Sequence, residues 1–402
     1  MSYTVLARRY RSQAFADVVG QEPVAKTLKA ALASGRVAHA YLFCGTRGVG
    51  KTSMARLFAR GLNAPATISD CPEPQGLGDF EYPNEEVQQR MADAIMRGDD
   101  LNVIEIDGAS NNRVEDARDL IASAGLSPTA NARFKLYIID EVHMLSNAAF
   151  NALLKTMEEP PSHVKFILCT TEPQKVPPTI QSRCQRFDFR NIPTGRIAEH
   201  LRAVLEKEGV EADEQVVFQI AALGDGSMRD ALSLLDRLIA TGDRPITATT
   251  MEEMFGLPDA ELIHALIGAM ADGDVPAALT QTHELLGRGV SQDQLIEVLI
   301  DHLRTLMLIA ACGAETPLLE VAPHARERAA ALAGRFDAAG LVHMIALCEN
   351  LQRSGRASAN ARALLDATIA RLCLSEKVAD VAALLAGDGG GGRGEKKKPA
   401  VR

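Results

Sequence analysis

The chain has 402 residues, 47% hydrophobic and 24% charged, the composition of an ordinary globular protein of two or three domains. Its 52 acidic and 43 basic side chains leave a net charge of -9, which argues against wholesale coating of nucleic acid. The seven cysteines are odd in number and scattered, and no leader or run of about 18 apolar residues occurs, so a reducing, cytoplasmic setting without disulfides or a membrane span is expected.

The charge is unevenly spread. Residues 1–60 carry ten Lys/Arg against two Asp/Glu, whereas residues 61–115 carry three against twelve. The basic opening, with Arg8, Arg9, Arg11, Arg47, Lys51, Arg56 and Arg60, either meets a polyanionic ligand or forms a solvated basic face. Apolar runs at 40–44, 101–106, 134–139, 164–170 and 184–189 read as strands, and helical patterns lie between the first four. Near-continuous apolar strands alternating with helices predict an α/β fold whose parallel sheet is covered on both faces. Beyond about residue 195 only helical spacing persists: Leu201, Val204 and Leu205, then Leu232, Leu235, Leu238 and Ile239, then 294–309, 341–351 and 362–374. Residues 387–402, a glycine run followed by lysines, cannot bury a core and are expected to be disordered.

The first predicted strand runs into Gly45-Thr46-Arg47-Gly48-Val49-Gly50-Lys51-Thr52, which fits G-x-x-x-x-G-K-S/T. Glycines let the backbone aim its N–H groups at phosphate oxygens, and the N-terminus of the following helix adds partial positive charge. In that frame Lys51 reaches the β- and γ-phosphates and Thr52 ligates Mg²⁺. Asp140 and Glu141 end the strand at 134–139, on the side of the sheet where α/β proteins bind ligands. Asp140 suits Mg²⁺, and Glu141 suits orienting or deprotonating an attacking water. The strand at 101–106 permits a sheet order in which the P-loop strand and the acid strand are not neighbours.

Three further residues have two readings each. Thr171, ending the next strand, either contacts the γ-phosphate or its water, or is an ordinary strand-end hydroxyl. Arg183, in Ser182-Arg183-Cys184, either caps the C-terminus of a short helix or points at a neighbour's phosphate. Ser227-Met228-Arg229-Asp230 has capping-box spacing, with Asp in place of Glu or Gln. It puts Arg229 in a first helical turn, where a cation costs roughly 0.3–1 kcal/mol unless a phosphate reverses the sign.

Together these segments resemble the γ/τ family of bacterial DNA polymerase III clamp-loader subunits, which are AAA+ ATPases. The resemblance is carried by LARRYRSQAFADVVGQE (6–22), HAYLFCGTRGVGKTSMAR (39–56) and VIEIDGASNNRVEDARDL (103–120). It continues in YIIDEVHMLSNAAFNALLKTMEEPP (137–161), TTEPQKVPPTIQSRCQRF (170–187) and GSMRDALSLLD (226–236). It implies a P-loop AAA+ domain with a parallel sheet at 1–178 and a small helical lid at 179–243. An all-α oligomerisation collar at 244–378 and a Gly/Lys tail at 379–402 complete the implied chain.

The resemblance also implies ATP and Mg²⁺ as cofactors. Gly45, Thr46, Arg47, Gly48, Val49, Gly50, Lys51, Thr52 and Ser53 match Walker A. Asp140 and Glu141 match Walker B, with Thr52 and Asp140 on the metal. Thr171 matches sensor 1, Arg229 matches sensor 2, and Arg183 is the finger that completes an adjacent subunit's site. Tyr10, Arg11, Val18 and Val19 flank the adenine. The implied partners are the δ and δ′ subunits, the sliding clamp and primed DNA, with self-association in a five-subunit ring and no membrane. The implied activity is ATP hydrolysis that loads the clamp during DNA replication, with Arg113 as a candidate for coupling or DNA contact.

Two alternatives are a non-catalytic scaffold resembling δ′ and another AAA+ DNA motor such as a Holliday-junction helicase. Intact Lys51, Thr52, Asp140 and Glu141 count against the first, and the Ser182-Arg183-Cys184 block against the second. One departure from the family is plain. Its four-cysteine zinc module follows the P-loop helix, but Ala64 stands at the first position, and between Ala64 and Asp100 only Cys71 and no histidine occurs. One ligand cannot make a structural zinc site, so none is expected. A short helix at 85–97 is predicted there instead, with Asn84 as N-cap and Gly98 as stop.

Overall fold

A computed structural model describes residues 4–72, 80–110, 125–316, 318–319, 323–355, 358 and 360–374. Asn112, Arg113 and the tail at 379–402 lie outside the described residues. The chain divides into two compact units, 1–212 with 217–244 and 213–216 with 245–402.

Among the described residues the first unit has five strands: β1 (Ala40–Cys44), β2 (Val103–Asp107), β3 (Lys135–Asp140), β4 (Val164–Thr170) and β5 (Gln185–Asp188). All pairs are parallel, and the order is β2-β3-β4-β1-β5. The P-loop strand and the acid strand are therefore not neighbours. The strand that separates them is β4, with Leu42 opposite Leu168 on one side and Ile138 opposite Ile167 on the other, while β2 sits at the edge. The three inner strands are buried along almost their whole length, in keeping with their near-continuous apolar runs, whereas edge strands β2 and β5 expose polar residues.

Among the described residues the helices of this unit are α1 (Leu6–Arg9), α2 (Glu22–Ser34), α3 (Lys51–Asn63), α4 (Glu85–Arg97) and α5 (Asn147–Glu158). They continue with α6 (Pro178–Gln181), α7 (Thr194–Glu208), α8 (Glu214–Leu223, in this unit from Val217 on) and α9 (Met228–Ile239). Successive strand residues face opposite sides, so the sheet has two cores. Tyr41, Phe43, Ile138 and Cys169 pack with Leu28 and Leu32 of α2 and with Met54, Leu57 and Phe58 of α3. Leu42, Tyr137, Ile139 and Leu168 pack on the other face with Phe150, Leu153 and Met157 of α5. Tyr41 and Phe58 meet edge-to-face at 5.0 Å.

The basic opening divides between core and cleft. Arg56 of α3 is 8% exposed and donates to both carboxylate oxygens of Glu105 in β2, at 2.7 and 2.8 Å, and to the Met96 carbonyl at the end of α4. Arg60 is also buried and donates to Thr67 Oγ1 at 2.7 Å. These two arginines tie helices and sheet together and form no surface. Arg56→Ala is expected to destabilise the first unit by about 1.5–3 kcal/mol, because it removes the charge-assisted hydrogen bonds to the partly buried Glu105 carboxylate. Denaturant unfolding of the first unit measures this, and the double change Arg56→Met with Glu105→Leu should recover much of the loss. If Arg56→Ala unfolds like the wild type, the pair carries no stability.

In the segment where the resembled family carries its zinc module, Ala64 packs with Met91, Ala92 and Ala132. α4 has the bounds predicted for it: Asn84 Oδ1 accepts from Val87 N at 3.0 Å, and Gly98 closes the helix at φ 87. Cys71 lies against the sheet core, and burial pushes its thiol up to about 12.

In the second unit the described residues form helices: α10 (Ala248–Phe255), α11 (Ala260–Asp272), α12 (Val275–Gly287), α13 (Gln292–Cys312), α14 (Pro323–Ala333), α15 (Ala338–Gly355) and α16 (Ala361–Cys373). In α13 Leu295, Ile296, Leu299, Leu303 and Leu306 form one buried stripe and pack with Met344 and Cys348 of α15 and Leu332 of α14. Asp259, Asp274 and Ser291 cap the N-termini of α11, α12 and α13. Among the described residues no single helix is long and apolar enough to cross a membrane.

Candidate nucleotide site

A cleft of about 980 Å³ opens over the carboxyl ends of the strands, and every residue lining it belongs to the first unit. Its floor is the loop from β1 to α3. Two glycines there are forced by crowding. A Cβ on Gly45 would lie 2.6 Å from the Phe189 carbonyl oxygen, and a Cβ on Gly48, at φ +78, would lie 1.8 Å from Ser227 Oγ. The P-loop is thus pressed against the turn that starts α9. N-cap Gly50 offers no side chain to the first turn of α3, so the helix begins with unsatisfied backbone donors facing the cleft.

Lys51 is 6% exposed, and its Nζ donates to the carbonyls of Gly45 and Thr46, both at 2.8 Å. Burial pushes the ammonium below its ordinary value, and the carboxylates of Glu141 and Asp140 work against that shift. Thr52 Oγ1 donates to Asp140 Oδ2 at 2.7 Å, and the Glu141 N–H donates to Asp140 Oδ1 at 3.0 Å. A hydroxyl beside a carboxylate is a hard oxygen set that suits Mg²⁺. Among the described residues no three His, Cys, Asp or Glu side chains are arranged to hold an ion. A metal here would therefore take its remaining ligands from phosphate and water, as Mg²⁺ does.

Glu141 is one of two non-glycine residues with positive φ among those described, at φ 45 and ψ 47. Such a conformation costs about 1–3 kcal/mol. It is held because Gly108 N donates to the Asp140 carbonyl at 2.8 Å and a Cβ on Gly108 would lie 2.7 Å from the Glu141 carbonyl oxygen. The Thr171 hydroxyl donates to Glu141 Oε2 at 2.9 Å, and its N–H donates to the same oxygen at 3.3 Å. Thr171 is thus no idle strand-end hydroxyl: the end of β4 is tied to the acid at the end of β3.

The structure places the other candidates as follows. Arg47, Gly48, Val49, Gly50, Lys51, Thr52 and Ser53 line the cleft, with Asp140, Glu141 and Arg229. Gly45 and Thr46 lie behind the lining, and Thr46 Oγ1 donates to Asn191 Oδ1 at 2.6 Å. Tyr10, Arg11, Val18 and Val19 also line the cleft. The Tyr10 hydroxyl donates to Glu208 of α7, which also pairs with Arg9, and Arg9 and Lys207 lie 5.4 and 5.8 Å from the ring centre. Burial pushes Arg11 below its ordinary value, and nearby Arg56 and Arg229 add to that shift. Arg183 is away from this cleft. It donates to the Thr179 carbonyl and to Glu158 Oε1, both at 2.7 Å, which within the single chain is the geometry of a helix cap.

Sequence reasoning missed several residues. Glu105 and Asp107 of β2 and His200, Asp236 and Arg237 of the helices after β5 line the cleft. Their only sequence signal was polarity at positions of no fixed spacing. His143, two residues after Glu141, was also missed. Its side chain is only 6% exposed, and its Nδ1 lies 3.0 Å from Thr170 Oγ1 and 3.4 Å from Glu141 Oε2.

Three family models match the chain in succession. They are DNA polymerase III, delta subunit, over 20–193; the DNA polymerase III clamp loader subunit ATPase lid domain over 196–244; and DNA polymerase III subunits gamma and tau domain III over 246–386. DNA polymerase III subunit tau of Escherichia coli K12 is 42% identical over 80% of this chain and 48% of its own length, and the tau subunit of Salmonella typhimurium LT2 gives the same figures. DNA polymerase III subunit gamma of Buchnera aphidicola from Acyrthosiphon pisum is 39% identical over 77% of this chain and 81% of its own length. The chain spans about half the length of those tau relatives.

Proposed function

Because the chain belongs to the DNA polymerase III gamma/tau family, we propose that it binds ATP with Mg²⁺ and serves as the ATP-hydrolysing subunit of a bacterial replicative clamp loader in the cytoplasm. One observation carries this reading. Lys51, the Thr52–Asp140 pair and the Thr171–Glu141 pair stand at the ends of adjacent parallel strands, and Arg229 lines the same cleft.

In this mechanism Lys51 leaves the two loop carbonyls and takes the β- and γ-phosphates, which restores full charge balance to a buried ammonium. Thr52 and Asp140 would hold Mg²⁺, which when bound would supply neutralising charge at the phosphates. Glu141 orients the attacking water and accepts its proton, and Thr171 fixes the carboxylate. Arg229 supports the γ-phosphate, where an anion reverses the cost of a cation in the first turn of α9. Tyr10, Arg11, Val18 and Val19 flank the base.

The chain would work in a five-subunit ring with δ and δ′, carrying the sliding clamp to primed DNA and gripping DNA through its phosphates. Residues 1–178 and 179–243 form motor and lid, and 244–378 the collar. The full constellation of Lys51, Thr52, Asp140 and Glu141 supports a motor over a non-catalytic scaffold.

ATP hydrolysis by the complex reconstituted with δ, δ′, clamp and primed DNA tests this. Clamp and primed DNA should stimulate it, and a rate unmoved by both defeats the reading. Arg183 is assigned in trans: leaving Glu158, it would reach an adjacent subunit's γ-phosphate. Its pair with Glu158 is half-exposed and so worth no more than about 1 kcal/mol, a small barrier to that move. Arg183→Ala should keep ATP affinity and lose DNA-stimulated hydrolysis by at least about 10-fold, of the kind arginine fingers supply. Full stimulated activity in Arg183→Ala would leave the helix cap as its whole role.

A further inference from the structure

We propose that His143 is a positioning residue for Glu141, anchored in turn by Glu172. The inference rests on the reading of Glu141 as the group that activates water. The His143 ring is 6% exposed and sits on the turn Val142–Met144 that follows Glu141. Its Nδ1 lies 3.0 Å from Thr170 Oγ1 and 3.4 Å from Glu141 Oε2, and its Nε2 lies 3.4 Å from Glu172 Oε1. The Thr170 hydroxyl is itself fixed, because it accepts from Glu172 N at 3.0 Å. Glu172 is itself fixed by Lys175, whose Nζ donates at 2.8 Å to the same Oε1 that His143 Nε2 approaches. The ring acts on Glu141 in the form that carries a proton on Nδ1, which aims that N–H at Glu141 Oε2 beside Thr170 Oγ1, while Nε2 abuts Glu172. The ring is a spacer between two acids on different elements.

The consequence falls on one atom. The Thr171 hydroxyl, the Thr171 N–H and His143 Nδ1 all converge on Oε2 of Glu141. Holding one oxygen from two residues sets the rotation of the carboxylate and so the direction of Oε1. Glu141 needs such help, because its backbone is in a left-handed turn and its side chain is 31% exposed. His143 does not line the cleft, so its contribution is to the direction of Glu141 and not to nucleotide affinity.

The test compares His143→Ala, His143→Asn and Glu141→Gln in the full chain within the reconstituted complex. It measures kcat and KM for hydrolysis, Kd for ATP, and the thermal midpoint. His143→Ala should lower kcat by about 10- to 100-fold, the loss expected for a reacting group displaced by about 1 Å, with Kd and KM within about two-fold of wild type. The Asn side chain places an amide nitrogen where Nδ1 was, so His143→Asn should recover kcat to within about five-fold of wild type. The proposal is overturned if His143→Ala keeps its kcat, if His143→Asn is no better than His143→Ala, or if kcat, ATP affinity and thermal midpoint fall together. Wild-type hydrolysis by Glu141→Gln defeats the underlying reading of the site, whereas an inactive Glu141→Gln beside a fully active His143→Ala removes this proposal alone.

Discussion

Lys51→Ala is expected to weaken ATP binding by about 100-fold to 10,000-fold and to leave no measurable hydrolysis. The magnitude follows from what the ammonium does. It is almost fully buried and already held by two carbonyls of the loop it serves, so a phosphate meets a donor whose position is set beforehand. Hydrogen bonds to charged groups contribute about 1.5–3 kcal/mol each, and two phosphate bonds lost together amount to about 3–6 kcal/mol. Each 1.4 kcal/mol is a factor of about ten in Kd. Arg8, Arg11, Arg47 and Arg229 also line the cleft, but as planar forks they do not replace a compact ammonium in the loop. Lys51→Arg should therefore fail almost as badly. Titration calorimetry with ATP measures both variants. Equal affinity in Lys51→Ala and wild type would remove the nucleotide reading and return the chain to a non-catalytic scaffold.

The parts of this site that could be read in the sequence are those set by local geometry. The P-loop glycines, Lys51 and Thr52 lie within eight residues, and Asp140 and Glu141 are adjacent, so spacing alone brings them together. The strands were visible because β1, β3 and β4 are buried on both faces and are therefore mostly apolar, with few polar interruptions such as Lys165. The order of those strands was not visible. It depends on strand pairing that sets Leu42 beside Leu168 and Ile138 beside Ile167, between segments more than 20 residues apart. The basic opening was only half legible, since charge on Arg56 and Arg60 does not announce that Glu105 and Thr67 will cover it. Arg183 stayed between two readings because a single chain satisfies it internally, on Thr179 and Glu158. His143 escaped notice for a similar reason. Its partners Thr170 and Glu172 are distant in sequence, and only the approach of β4 to β3 gives it a role.

Glu141→Gln should separate binding from chemistry. The variant is expected to bind ATP within about two-fold of wild type while kcat falls by about 100-fold to 10,000-fold, the range of general-base catalysis. Glutamine has nearly the same shape, and its amide oxygen can still accept from the Thr171 hydroxyl and N–H, so the turn at 140–144 has no reason to move. What is lost is the oxygen that takes the proton of water. The contrast with Lys51→Ala gives a readout that needs no turnover. At ATP near 100 times Kd, a protein that binds gains about 2.7 kcal/mol of stability. Glu141→Gln should show that gain as a raised thermal midpoint, and Lys51→Ala should not. If Glu141→Gln hydrolyses ATP at the wild-type rate, the base lies elsewhere. Asp107 would then be the first candidate, because it also lines the cleft and stands opposite Asp140 in the β2–β3 register. If Glu141→Gln instead loses binding, the strained turn at Glu141 serves to shape the nucleotide cradle, and its left-handed backbone, at about 1–3 kcal/mol, is the cost of affinity and not of rate.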